Sequence, residues 1–295
     1  MAAATTGMLA LSRIAISSWR AVGAALLALP CAPGSAQMED ADPFHWAYAA
    51  SLGSGVYRLG DQTEAQTYRG NFSVALRDRP ATAQDRAGLR LLLPIALGVQ
   101  NLDDDALPVD RPSDRIEHAA FLPGVELEQR VGERWTLRTR AQLGRAEELR
   151  GTEQSARLAA VGLRSRAQFD SVPGKPSLIT GLLWTGFDPS VGERRSLLRF
   201  SAGVELDIRA AHWQVRDSPM RWRPHVLKDW YYRPPPALAF GDDESERLAD
   251  EWQLGLAAAR EDGFKILFLK FDAVGIAYRF SDHSSGIRLY LNSVF

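Results

Sequence analysis

Val125-Glu126-Leu127-Glu128-Gln129-Arg130-Val131-Gly132-Glu133-Arg134-Trp135-Thr136-Leu137-Arg138-Thr139-Arg140 is the stretch whose reading decides the fold. Val125, Leu127 and Val131 are apolar at odd positions, and Glu126, Glu128 and Arg130 are charged at even ones. That alternation has the period of a strand, whose successive side chains point to opposite faces, and not the period of a helix. Gly132-Glu133 reads as a tight turn. Beyond it Trp135, Leu137, Thr139, Ala141 and Leu143 resume the odd face, while Arg138, Arg140 and Gln142 stand on the other. If Val131 pairs with Trp135, Glu128 lies opposite Arg138 and Glu126 opposite Arg140, the favourable arrangement of charges across a hairpin.

The rhythm continues along the chain. Tyr68, Phe72, Val74 and Leu76 alternate with Arg69, Asn71, Ser73 and Arg77, and Leu198, Phe200, Ala202, Val204, Leu206 and Ile208 with Arg199, Ser201, Gly203, Glu205, Asp207 and Arg209. Val274, Ile276, Tyr278 and Phe280 alternate with Gly275, Ala277 and Arg279. The pattern predicts twelve strands, near 45–58, 66–78, 87–100, 117–131, 134–147, 153–169, 175–187, 195–209, 220–233, 247–260, 265–280 and 285–295. Each has at least the ~9–11 residues that a tilted membrane-crossing strand needs. Connectors after odd strands are mostly acidic or polar, as in Asp103-Asp104-Asp105 and Gly241-Asp242-Asp243-Glu244. Several after even strands are short, as in Val172-Pro173-Gly174 and Glu261-Asp262-Gly263, although 78–86 and 210–219 are longer. Long loops on one side and short turns on the other are the asymmetry of an outer-membrane barrel.

Composition narrows the class. The 295 residues are 45% hydrophobic and 24% charged, neither a disordered nor a fibrous balance. Thirty-five basic residues against 36 acidic ones give a net charge of −1 and no electrostatic reason to expect nucleic acid. Cys31 is the sole cysteine, so a disulfide framework or multi-cysteine metal site is excluded. Mean hydropathy is −0.20, and beyond the N-terminus no apolar run approaches the ~18–20 residues of a membrane helix. Residues 1–36 read as a secretory signal. Arg13 and Arg20 precede the apolar run 21–29, Pro30 and Gly34 break it, and Gly34-Ser35-Ala36 offers small residues for cleavage. Residues 37–295 then form the mature domain, outside the cytoplasm.

A magnitude decides which face of such a barrel meets lipid. Arginine at the bilayer midplane costs about 2–4 kcal/mol on a lipid-facing position. Arg69, Arg90, Arg138, Arg140, Arg164, Arg166, Arg199, Arg279 and Arg288 share one face with the acids. Turning all of them to lipid would cost tens of kcal/mol at those values, more than the net stability of a folded domain. The expected fold is therefore all-β, a transmembrane antiparallel barrel of twelve strands with a lipid-facing apolar exterior and a charged lumen. The expected site is a ladder of Glu126, Glu128, Arg138, Arg140, Arg164, Arg166, Arg199, Glu205 and Asp207, filling the interior or lining a narrow pore. Trp46, Trp135, Trp184, Trp222, Trp230 and Trp252 lie near predicted strand ends, where membrane-interface girdles form.

Family resemblance adds to this. The hairpin from Phe121 to Leu137, and Val274-Gly275-Ile276-Ala277-Tyr278-Arg279-Phe280 followed by Gly286-Ile287-Arg288-Leu289, resemble the solitary outer-membrane autotransporter-like β-barrel family. Its likeness would cover most of 45–295. The final strand, with Leu289, Leu291 and a terminal Phe295, resembles the assembly signal of bacterial outer-membrane barrels, although Ser293 stands where an aromatic is frequent. The resemblance implies a passenger-free translocator-type barrel in a Gram-negative outer membrane. Its partners would be outer-membrane lipid, lipopolysaccharide and the barrel-assembly machinery.

Catalytic chemistry finds little support. His45, His118, His212, His225 and His283 form no H-x-x-H or H-E-x-x-H pattern, and there is no nucleophile elbow. No catalytic, cofactor or metal residue is assigned. Arg221-Trp222-Arg223 and Trp230-Tyr231-Tyr232-Arg233 mix cations with aromatics in the manner of lipid-headgroup contacts. An integral barrel with a structural or narrow-pore role is the first reading. An outer-membrane lipid hydrolase using His118 or His283, and a secreted soluble barrel binding a small apolar ligand, stay open beside it.

Overall fold

A computed structural model of the chain describes residues 54–59, 63–101, 118–149, 155–170, 172–190, 194–215, 218–232, 250–266, 269–281 and 284–291. The strand segments among them are β1 (Ser54–Leu59), β2 (Thr63–Arg77), β3 (Gly88–Asn101), β4 (His118–Phe121), β5 (Gly124–Arg130), β6 (Trp135–Glu148) and β7 (Ser155–Gln168). They continue with β8 (Ser177–Pro189), β9 (Arg195–Glu205), β10 (Ile208–Val215), β11 (Ser218–Tyr232), β12 (Glu251–Ile266), β13 (Leu269–Phe280) and β14 (Ser284–Leu291). Every pairing is antiparallel, and apart from β4 with β5 and β9 with β10 each segment pairs with the next in sequence. β1 pairs with β2 on one side and with β14 on the other. β11 likewise pairs with β12 and, through Val226↔Val204 and its neighbours, with β9. Following the pairings from β11 through β14, β1 and β6 to β9 returns to β11.

Two expected strands are broken in the middle, and a proline opposite each break explains why. The strand expected at 117–131 is split at Leu122-Pro123 into β4 and β5, both lying between β3 and β6. The gap faces Pro94 of β3, which has no N–H to donate to the ladder. The Leu122 N–H instead donates to the Pro94 carbonyl at 3.2 Å. Across the gap on the other side lies Gly144, where a Cβ would collide with the carbonyl of Phe121 and the Cα of Leu122. The strand expected at 195–209 is split at Leu206-Asp207 into β9 and β10, both beside β11. Here Pro224 is opposite, and the Leu206 N–H donates to its carbonyl at 3.0 Å.

Other boundaries move as well. β10 runs to Val215, so much of the longer connector expected at 210–219 is strand. Glu261-Asp262-Gly263 is not a turn: β12 passes through it to Ile266, with a register shift between Ala259 and Phe264. β8 runs on to Pro189, past the end expected at 187. Residues 45–53, Asp103-Asp104-Asp105 and Gly241-Asp242-Asp243-Glu244 lie outside the described residues.

The faces differ sharply in what they carry. Val74, Ile95, Leu182, Leu254, Ile276 and Leu289 are exposed, the last at 60%. Arg199, Glu205, Asp207, Asp229, Glu251 and Arg279 are buried, with Arg279 and Glu205 each at 1%. The nine arginines read onto the charged face are all buried or half-buried. That face is not charged throughout. β8 contributes Ile179, Leu183 and Phe187 to it. Ala96, Ala120, Leu122, Ala146, Ala156 and Leu158 join Phe187 in one apolar cluster, and Ala257, Ala259, Ala273, Ala277 and Tyr290 form another.

Candidate functional site

Strand register builds the charged face row by row. The hydrogen bond from Val131 N–H to the Trp135 carbonyl, 2.7 Å, closes the β5–β6 turn. This sets Glu128 opposite Arg138 and Glu126 opposite Arg140. On its other side Arg138 faces Arg164, and Arg140 faces Gly162. Arg164 in turn faces Gly181, which faces Ser201, which faces Asp229.

Ion-pair groups on this face, among the described residues, include three that matter here. In the first, Arg279 donates to Asp229 at 3.2 Å, to the Tyr231 hydroxyl at 2.8 Å and to Glu251. Asp229 also accepts from the Ser201 hydroxyl and lies 3.7 Å from Arg199, and Tyr231 donates to Glu251 at 2.7 Å. In the second, Arg166 pairs with Glu205 at 2.7 Å, while Arg221 and Arg223 lie 3.3 and 3.9 Å from Asp207. In the third, Glu128 lies between Arg138 at 3.0 Å and Arg79 at 3.3 Å, the latter reaching in from the 78–86 connector. That connector is held over the β5–β6 turn by Arg130, which donates to the carbonyls of Ala81 and Glu133. Buried charges are tolerable only when paired and hydrogen-bonded in this way.

Between the groups lies a small cavity, about 40 Å³ in volume and partly open to solvent. Its charged lining is Arg140, Arg164, Arg199, Arg288 and Asp229; Gly162 and Gly181 form part of its wall. A Cβ at Gly162 would stand 2.9 Å from Arg140 Nε and 3.2 Å from its Cγ, so the glycine is what lets this side chain lie flat against β7.

The sequence-predicted residues are thus distributed. Glu128, Arg138, Arg166, Glu205, Asp207 and Arg199 take part in the ion pairs, Arg140 and Arg164 line the cavity, and Glu126 is half-buried opposite Arg140. Leu289 is exposed, Leu291 ends β14 opposite Val274, and Phe295 lies outside the described residues. The headgroup reading of Arg221, Arg223 and Tyr231 is corrected: all three side chains bond within the charged face. Asp229, Glu251 and Gln253, absent from the expected ladder, are among the most buried polar side chains. The signal for Asp229 was the shared parity of Arg221, Arg223, His225, Asp229 and Tyr231 along β11, obscured because Leu227 interrupts the polar series; Glu251 and Gln253 share the parity opposite Trp252 and Leu254 along β12.

His225 is buried, with its Nε2 3.1 Å from Gln253 Nε2 and its ring edge-on to Tyr290 at 5.8 Å. His45 and His283 lie outside the described residues. No cluster of three or more His, Cys, Asp or Glu side chains with metal-site geometry exists among the described residues.

On the exposed face, aromatics gather at one level. Phe200 stacks on Trp230 at 5.3 Å, and Tyr278 on Phe280 at 5.7 Å. Lys228 lies over the Trp252 ring at 5.0 Å, and Trp252 is paired with Phe280 in the register.

The class that these features define is an antiparallel β protein with its guanidinium groups covered and its large apolar side chains uncovered. Among solved structures, the translocator domain of the autotransporter NalP from Neisseria meningitidis is similar at 12% identity, with 79% of this chain and 81% of that chain covered and a TM-score of 0.45. OccK11 (OpdR) from Pseudomonas aeruginosa is similar at 12% identity, with 80% and 92% covered and a TM-score of 0.20. No protein-family model and no curated protein sequence matches the chain.

Proposed function

We propose that the chain is an integral outer-membrane β-barrel without enzymatic activity, whose interior serves a structural or narrow-pore role. Counting β4 with β5 and β9 with β10 as single bent strands gives a ring of twelve. The single observation that carries the reading is the inversion of the two faces: arginines and acids buried, leucines, valines and isoleucines exposed around the sheet. A water-soluble protein rarely leaves so extended an apolar surface uncovered, whereas lipid supplies the solvent that such a face requires. The aromatic level formed by Phe200, Trp230, Trp252 and Phe280 suits one membrane–water interface, with Lys228 reaching toward headgroups.

Within this reading residues 1–36 are the export signal, and Leu289, Leu291 and Phe295 form the signal read by the barrel-assembly machinery. Outer-membrane lipid and lipopolysaccharide surround the barrel. The buried ion pairs project into the lumen, so any conductance is small. Membrane fractionation followed by gels of unheated and heated samples tests the barrel, and planar-bilayer recording tests the pore. A detergent-resistant, faster-migrating unheated form in the outer-membrane fraction is the expected result. Recovery in the soluble fraction, with one mobility on both gels, would remove the proposal.

A further inference from the structure

The interior cavity is unequally charged. Four guanidinium groups line it, those of Arg140, Arg164, Arg199 and Arg288, against the one carboxylate of Asp229. Asp229 is itself engaged by Arg279 and Arg199 and by the Ser201 hydroxyl. Glu126, opposite Arg140, reduces the local excess to two positive charges. Arg140 lies in the fields of Arg69, Arg199 and Arg288, which oppose its charge, and only Glu126 among its main electrostatic neighbours favours it. Its buried Nε has no hydrogen-bond partner among the described residues. Directly across the ladder from each other stand Arg138 and Arg164, two like charges of which Arg138 is paired with Glu128 at 3.0 Å. The wall behind the arginines is glycine: Arg140 lies against Gly162, and Gly181 leaves room beside Arg164.

Guanidinium groups converging on one space match the planar oxygen edges of a multiply charged oxyanion, to which they donate paired hydrogen bonds. We propose that this cavity binds a small, multiply charged oxyanion of the phosphate or carboxylate class, held by Arg140, Arg164 and Arg288 against the Gly162–Gly181 wall. The assignment deepens the pore reading and rests on it for the route by which an anion enters. A chain of this kind favours anionic solutes over cationic ones in its interior, because the charge excess sits where the strand walls exclude most water.

The test uses the full chain refolded in detergent at low salt, titrated with inorganic phosphate and separately with citrate, and followed by calorimetry. Saturable binding of either at millimolar concentrations is expected. Arg140→Gln combined with Arg164→Gln weakens it by about tenfold or more. Gly181→Val is a second variant that keeps every charge and fills the wall; a Cβ at Gly181 meets only ordinary contacts, at 3.6 Å from Ser201 Cβ and 3.8 Å from Arg164 Cγ. It too lowers the affinity. Arg145→Gln, which removes an exposed pair with Glu147, leaves binding unchanged. Binding of phosphate alone or citrate alone supports the site and names its preferred source. Absence of saturable binding, or equal binding by the wild type and both cavity variants, overturns it. Heat-modifiable migration is recorded on the same samples. A heat-modifiable chain that ignores both anions loses the site and keeps the barrel; one that is not heat-modifiable loses the barrel.

Discussion

Arg279→Met removes the most buried guanidinium among the described residues while nearly keeping its volume. In the wild type this group, 1% exposed, donates to Asp229 at 3.2 Å, to Tyr231 at 2.8 Å and to Glu251. Each hydrogen bond to a charged partner contributes about 1.5–3 kcal/mol. Their simple sum overstates the loss, because Asp229 keeps Arg199 at 3.7 Å and the Ser201 hydroxyl, and Glu251 keeps the Tyr231 hydroxyl at 2.7 Å. Breaking one member of a buried pair costs about 3–5 kcal/mol. With the remaining partners in place the lower end applies, about 3 kcal/mol, or roughly a hundredfold in the folding equilibrium. Urea unfolding of vesicle-inserted protein, followed by tryptophan fluorescence, reads this directly; the chain has 8 tryptophans. Arg194→Met is the control, since its pair with Asp188 is exposed at the guanidinium and is worth about 0–1 kcal/mol. Glu251→Gln alone and combined with Arg279→Met gives the coupling: in the double variant the two losses fall short of additive, because the second removes a charge that the first left unpaired. If Arg279→Met costs no more than Arg194→Met, the buried network is not what orders this interior.

Other outcomes follow from the same geometry. Ile276→Arg places a charge in the middle of the exposed face, beside Leu256 and Leu289, and lowers stability in a bilayer by about 2–4 kcal/mol on the same urea assay; a neutral effect would contradict lipid contact there. Gly162→Val drives Arg140 from its seat and costs about 1–3 kcal/mol by overpacking, read as a lowered urea midpoint. The Asp85 carboxylate accepts the Thr82 N–H at 2.7 Å, and this backbone bond holds its pKa below the ordinary 3.8. A depressed acid stabilises the folded form above its unfolded pKa and loses that contribution as pH falls through the folded one. The Thr82 amide resonance therefore titrates with a midpoint below 3.8, and a midpoint at or above it refutes the bond.

The sheet is readable in the sequence because a strand's two faces meet different surroundings, and alternation records that difference residue by residue. In 125–143 the turn at Gly132-Glu133 then fixes the register by counting alone. The breaks at Leu122-Pro123 and Leu206-Asp207 were harder to see, because their cause sits on another strand: Pro94 and Pro224 lack the N–H that an unbroken neighbour would use. The extension of β12 through Glu261-Asp262-Gly263 was hidden because acids and glycine, the usual vocabulary of a turn, are accommodated there by a register shift. Ion-pair geometry was less accessible still. Opposite charges on neighbouring strands can be matched by counting, but Asp229 and Arg279 lie 50 residues apart on strands that are not adjacent and meet over the intervening β12. The apolar inward face of β8, with Ile179 and Leu183, broke the simple rule that charge marks the interior.

The inversion of the two faces is tested most directly by where a probe attached to each one finds itself. Cys31→Ser leaves a cysteine-free background, into which Ile276→Cys, Leu254→Cys, Arg138→Cys and Gly255→Cys are introduced singly and spin-labelled in lipid vesicles. Labels at 276 and 254 collide with dissolved oxygen, which concentrates in the hydrocarbon, and are shielded from a water-soluble nickel chelate; labels at 138 and 255 show the opposite preference or are shielded from both. Nickel access at 276 and 254 with oxygen access at 138 would place the guanidinium face against lipid and contradict the account.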